Sequence, residues 1–180
     1  VIVVDGPIPA ETEEVLALYS QDQQFKIIKL PMNTGHGNAR RVGLENCSNE
    51  IVALMDSDDL ALPDRFAKQI HAFIKNPEIS VVGGHISEFE GNEKNIIGKR
   101  IVSLKDDEIK KYMKKRCPFN QMTVMFRKSH VIDSGGYMDW YQDEDYYLWI
   151  RMSLKNYLFM NVDDILVNVR SGIQMYQRRG

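Results

Sequence analysis

A chain of 180 residues with 43% apolar and 27% charged side chains has the make-up of a globular protein, long enough to bury one substantial core. Its net charge of −2, with acids and bases interspersed, argues against a nucleic-acid binder or a polybasic membrane anchor, and no apolar run reaches the ~18 residues of a membrane-spanning helix. Cys47 and Cys117 lie far apart, form no CxxC pair, and fit reduced thiols in a cytoplasmic protein.

The chain opens directly in a β-branched run, residues 1–4 (VIVV), broken by Asp5-Gly6-Pro7. With no initiator Met ahead of that run, the sequence reads as a fragment of a longer chain. Residues 11–20 predict a helix with acids in its first turn and Val15, Leu16, Leu18 and Tyr19 as its apolar side. Residues 25–30 predict the next strand. A polar, glycine-bearing loop from Asn33 then leads into a helix with Ala39, Val42 and Leu44 as apolar positions. Residues 51–55 predict a third strand, and Pro63 opens a helix whose apolar positions are Phe66, Ile70, Phe73 and Ile74.

Residues 80–84 predict a fourth strand, and 86–89 and 96–102 flank the turn EGNEKN as an antiparallel hairpin. Ser103 is placed to cap a basic helix over 105–116. A strand over 122–126, a short helix over 129–134 stopped by Gly135-Gly136, a helix over 143–154 and a strand over 165–169 complete the pattern. Alternation of strands and helices without repeats or linkers predicts one α/β domain with a mostly parallel central sheet flanked by helices.

The third strand runs straight into Asp56, Asp58 and Asp59. Ligands of open α/β sheets bind beyond the carboxyl ends of strands. Crowded carboxylates repel one another, so a cation would be welcome there, and an oxygen-only donor set suits Mg²⁺ or Mn²⁺. The alternative is a solvated loop in which Asp59 or Asp64 caps the next helix. Asp5 ends a second strand, and the glycine loop before Arg40 and Arg41 could hold a diphosphate against a helix start.

In the helix over 143–154, Asp145 shares a face with Leu148, Trp149 and Met152, and Glu144 lies on a neighbouring face. An acid on a buried face serves either the helix dipole or catalysis, where it could take a proton from an acceptor hydroxyl. Gln121, ahead of the strand over 122–126, and Trp140 and Tyr141 are further candidates to face an acceptor. The basic helix is either a solvated face or a patch turned towards anionic lipid.

Together these segments resemble the family 2 nucleotide-sugar glycosyltransferases, which have the GT-A fold. The family's VDG turn is matched by Val4-Asp5-Gly6, and its asparagine, glycine and Ala-Arg block by Asn33, Gly35, Ala39, Arg40 and Gly43. Its DSDD is matched by residues 56–59, its TVMFRKS and GGY segments by 123–129 and 135–137, and its ED-x-x-LW-x-R helix by Glu144, Asp145, Leu148, Trp149 and Arg151. The strand and helix that usually precede the VDG turn are absent, so the resemblance implies an N-terminally truncated member whose sheet lacks its first strand.

The resemblance further implies an inverting transfer of sugar from a nucleotide donor, a UDP-sugar, to a saccharide or lipid-linked acceptor. The setting would be bacterial capsule, O-antigen or lipooligosaccharide synthesis, in the cytoplasm or at the inner face of the membrane. Asp5 would contact the nucleoside, Asp56 the ribose or the metal through water, and Arg40 the diphosphate. Asp58 would bind Mn²⁺ or Mg²⁺ directly, Asp145 would be the catalytic base, and Glu144 would lie on the substrate side. Residues 1–100 would form the donor half and 101–180 the acceptor and base half. A Mg²⁺-dependent phosphohydrolase of the haloacid-dehalogenase type, or a non-catalytic module on the same scaffold, are the competing functions.

Overall fold

The computed structural model describes residues 1–139 and 143–171. In chain order they form strand β1 (Ile2–Asp5), helix α1 (Ala10–Tyr19), β2 (Ile27–Leu30), α2 (His36–Glu45), β3 (Ile51–Ala53), β4 (Leu60–Ala61), α3 (Arg65–Lys75), β5 (Ile79–Phe89) and β6 (Ile96–Arg100). Then follow α4 (Asp106–Met113), a 3₁₀ turn (Gln121–Thr123), β7 (Met125–Arg127), α5 (Lys128–Asp133), α6 (Glu144–Leu154) and β8 (Leu158–Arg170). By internal packing the chain divides into two units, one of Val1–Val52 with Lys128–Met152, the other of Ala53–Arg127 with the chain from Ser153 onward.

In the first unit β1 and β2 pair in parallel, Ile2 opposite Ile27 through Asp5 opposite Leu30. Helix α2 lies against β1, and a Cβ on Gly43 would sit 3.4 Å from Val3 Cγ2. Val4 and Leu44 are buried in this unit. Helix α1 departs from its expected apolar side: Val15, Leu18 and Tyr19 are exposed and only Leu16 is half-buried. Four-residue strands offer little surface to cover a ten-residue helix.

The second unit is built on β5, buried along nearly its whole length. It runs parallel to β8, from Ile79 opposite Leu158 to Phe89 opposite Arg170, and antiparallel to β7 and β6; β4 pairs antiparallel with the far end of β8. The expected hairpin is present, with Ile86 opposite Arg100. The expected mostly parallel sheet holds for β1–β2 and β5–β8, while the short strands beside β5 and β8 run antiparallel. Of these only β6 follows its partner through a turn, whereas β7 and β4 reach β5 and β8 over long stretches of chain.

Two local readings change in kind. Residues 80–84 and 86–89 belong to one strand, because Gly83 and Gly84 mark close approach rather than a break. A Cβ there would lie 2.3 Å from Asn161 Oδ1 and 2.5 Å from Leu166 Cδ1. On α3 the predicted face holds only at Phe73. Phe66, Ile70 and Ile74 are exposed, whereas Arg65, Gln69, Ala72 and Phe73 are buried. Both buried polar side chains find backbone partners. Arg65 donates to the Leu54 carbonyl (2.7 Å) and to Gln69 Oε1 (3.1 Å), and Gln69 Nε2 donates to the Val82 (2.7 Å) and Thr123 (2.8 Å) carbonyls.

Candidate active site

The acidic loop, residues 54–59, is held at both ends within the second unit. At its start the Leu54 N–H donates to the Val124 carbonyl (2.9 Å), while its own carbonyl takes the Arg65 guanidinium. At its end β4 pairs with Asn168 and Val167, and Asp59 Oδ1 accepts the Arg170 backbone N–H (2.9 Å). The Asp59 N–H turns back to the Asp56 carbonyl (3.4 Å). Three carboxylates are thus confined to one short turn, with Asp58 exposed and Asp56 and Asp59 half-buried.

Their electrostatics follow from that crowding. Asp59 is pushed up to about 6, first by burial and then by the neighbouring charges of Asp58 and Asp56, against the pull of Arg170. Removing that strain is what a cation would do. Among the described residues no three His, Cys, Asp or Glu side chains form a ready metal cage. A hard divalent ion held through one or two carboxylates would suit such an oxygen-only donor set and would keep other positions for water and phosphate oxygens.

In the first unit Asp5 performs a structural task. Thr34 donates both its N–H (2.7 Å) and its hydroxyl (2.8 Å) to Asp5 Oδ1, which ties the end of β1 to the loop before α2. Gly6 must be glycine there: its φ is +100°, and a Cβ would lie 2.7 Å from the Asn33 nitrogen. Helix α2 starts against the segment before α6, since a Cβ on Gly37 would lie 2.3 Å from the Met138 carbonyl oxygen.

Arg40, one turn further on, forms an ion pair with Glu144 Oε1 at the start of α6. Glu144 is the more buried acid of the pair 144–145, at 4% exposure, and it joins Leu148, Trp149 and Met152 on the buried side of the helix. Asp145, expected on that stripe, flanks it half-buried. Positions 144, 148 and 152 are spaced four apart, so the stripe begins one residue earlier than a reading from 145 suggests. Burial pushes the Asp145 carboxyl up, while the Tyr146 N–H (2.7 Å) and the charge of Arg40 pull it down.

Arg151 fixes the same helix from below. Its Nη1 donates to the Ser134 carbonyl and its Nη2 to the Gly136 carbonyl (2.6 Å), clamping the glycine turn at the end of α5. That turn uses glycine at φ +89° and +63°, as the stop signal predicts. Gln121 is buried in the 3₁₀ turn ahead of β7 in the second unit. Trp140 and Tyr141 lie outside the described residues.

The structure therefore brings Arg40, Glu144 and Asp145 together, and sets Asp56, Asp58 and Asp59 on one turn. Arg65 is the addition, while Asp59 and Arg151, present in the motifs without an assigned role, gain one. Nothing in hydropathy marks Arg65, which reads as an ordinary exposed helix residue.

Comparison with known proteins gives the family and the fold. The family model described as Glycosyl transferase family 2 matches residues 1–136. The chain is 42% identical, over 99% of its length and 66% of the relative's, to an uncharacterized glycosyltransferase of Haemophilus influenzae. It is 32% identical, over 100% of its length and 65% of the relative's, to an Escherichia coli UDP-Gal:alpha-D-GlcNAc-diphosphoundecaprenol beta-1,3-galactosyltransferase. The chain thus spans about two thirds of the length of these relatives. A solved structure of the mannosyltransferase PcManGT from Pyrobaculum calidifontis, in complex with GDP-Man and Mn²⁺, superposes with a TM-score of 0.70 at 13% identity, covering 99% of this chain and 49% of that one. The fold is that of the GT-A glycosyltransferases.

Proposed function

Since the chain belongs to glycosyl transferase family 2, we propose that it carries the donor-binding and base residues of an inverting transferase. The donor is a nucleoside diphosphate sugar, a UDP-sugar, and the acceptor a saccharide or lipid-linked saccharide of a bacterial surface polysaccharide. Family membership sets the phosphohydrolase alternative aside. The observation that carries the reading is the acidic turn after β3, where Asp56, Asp58 and Asp59 share one short stretch and Asp59 is driven to about 6. Nothing in a purely structural turn calls for that concentration of charge.

In this reading residues 1–100 serve the donor and 101–180 the acceptor and base. Asp58 would hold Mn²⁺ or Mg²⁺ directly, with Asp56 at the ribose or reaching the ion through water, and the ion when bound offsets negative charge on the departing diphosphate. Asp5, already committed through one oxygen to Thr34, fixes the turn that meets the nucleoside. Asp145 accepts the acceptor hydroxyl proton as that oxygen bonds to the anomeric carbon and the bond to the diphosphate breaks. Burial brings the Asp145 carboxyl nearer to neutral pH, where a base works best. Gln121 faces the acceptor. Among the described residues no helix is long and apolar enough to cross a membrane. Action on a lipid-linked acceptor would place the chain at the inner membrane face.

Asp145→Asn tests the assignment. The amide keeps the shape of the side chain but takes no proton. Transfer from a UDP-sugar should fall by about 10²–10⁴-fold, the usual worth of a general base, while affinity for UDP with Mn²⁺ stays within about twofold. Near-normal turnover with an intact fold removes Asp145 as the base.

A further inference from the structure

We infer that Arg40 is a positioning residue for Asp145, setting the start of α6 through its ion pair with Glu144, and not a ligand of the donor diphosphate. The inference rests on the reading of Asp145 as base. Its first support is burial. Glu144 is 4% exposed and its Oε2 is buried without a hydrogen-bond partner, so compensation for burying that carboxylate comes through Oε1 and Arg40. An arginine turned towards a diphosphate would leave a buried carboxylate unpaired, the costliest way to break such a pair.

The second support is where α2 sits. Gly37 and Arg40 are three residues apart on one face of the helix, and Gly37 packs so tightly on the Met138 carbonyl that no Cβ fits between them. The same face therefore meets the segment before α6 at Gly37 and the first residue of α6 at Arg40. Arg41, on the neighbouring face, is exposed and serves its own helix through Asn38 and Glu45. Third, Asp145 follows Glu144 directly, so the residue that anchors Glu144 also sets the base. Among the groups acting on Asp145 are Arg40 from α2, the N–H groups of Tyr146 and of Asp145 itself, and Asp143 just before α6.

Carbon-13 labelling of aspartate carboxyls allows a direct test, with the Asp145 signal assigned from Asp145→Asn. In Arg40→Met the Asp145 midpoint should rise by about one pH unit, the low end of what loss of a nearby opposite charge produces, and Arg40→Lys should recover most of that rise. UDP affinity with Mn²⁺ should stay within about twofold in both. Glu144→Gln, which keeps the volume and frees the Arg40 charge, should hold the Asp145 midpoint at or below its parent value. The transfer rate of Arg40→Met should fall at least tenfold at neutral pH, with the acid limb of its pH profile moved upward. An unmoved Asp145 titration together with a tenfold or greater loss of UDP affinity would make Arg40 a diphosphate ligand and overturn the inference. Should Arg40→Met not fold, Arg40→Lys and Glu144→Gln decide on the same two readouts. Full transfer by Asp145→Asn would strike the base assignment alone, since the titration still reports whether Arg40 governs that carboxyl.

Discussion

Replacing Arg65 by Met puts two opposed magnitudes in competition. The guanidinium is fully buried, and burial drives its pKa from 12.5 down to about 10. At about 1.4 kcal/mol for each pH unit, that desolvation costs roughly 3 kcal/mol, which an apolar side chain of similar volume would recover. Against it stand two charge-assisted hydrogen bonds to oxygen, to the Leu54 carbonyl (2.7 Å) and Gln69 Oε1 (3.1 Å), and a weaker one to Met55 Sδ (3.2 Å). Each bond to oxygen is worth roughly 1.5–3 kcal/mol, and their loss also leaves two acceptors unpaired at roughly 1–3 kcal/mol apiece. Partial rehydration of Leu54 trims the second figure. The bonds win, and Arg65→Met should destabilise by about 2 kcal/mol, a melting temperature lower by roughly 4–8 °C for a chain of this size. Arg65→Lys keeps the buried charge but loses the fork that reaches both acceptors, so it should fall at least as far. Urea denaturation and thermal melts of the three proteins measure this. A Met variant as stable as the parent, or more so, would show that desolvation dominates and that the acidic turn is not held by this arginine.

Three further outcomes follow from the same geometry. Asp59 titrates at about 6 in the folded chain against 3.8 in the unfolded one, so the folded state holds the extra proton between those values and stability falls as pH rises through that window. In metal-free buffer Asp59→Asn should therefore gain about 1–2 kcal/mol at pH 8, after allowance for solvent screening of a half-buried group, and nothing near pH 3.5; an equal gain at both would refute the assignment. Asp58→Asn should weaken Mn²⁺-dependent UDP binding by roughly a hundredfold in calorimetry, the scale of one lost charged ligand, and unchanged binding would take the ion elsewhere. Gly37→Ala sets a methyl group against the Met138 carbonyl oxygen at 2.3 Å and should cost at least about 2 kcal/mol, with a matching fall in melting temperature; a neutral result would mean that α2 does not seat there.

What could be read from the sequence, and what could not, divides along a physical line. Order and type of element follow from local pattern, and so does the site's advertisement: a buried strand ending in acids, glycines where φ turns positive, a hairpin marked by its turn residues. Faces were harder, because hydrophobic periodicity assumes that what is buried is apolar. On α3 that assumption misplaces three of the four apolar positions and keeps only Phe73. Arg65 and Gln69 go inside and donate to backbone carbonyls of three separate segments, at Leu54, Val82 and Thr123. On α6 the same assumption slips the stripe by one residue and makes Asp145 the inward acid, when Glu144 is the one that burial selects. Both failures share a cause: a long-range partner that satisfies a polar group carries no local signature. They also fall where the molecule handles charge, Arg65 behind the acidic turn and Glu144 beside the candidate base. Polar groups drawn inward against pattern cost stability and so mark places where something other than stability is being specified. By that reasoning the two reversals point to the same residues as the acidic motifs do, and they do so independently of any resemblance.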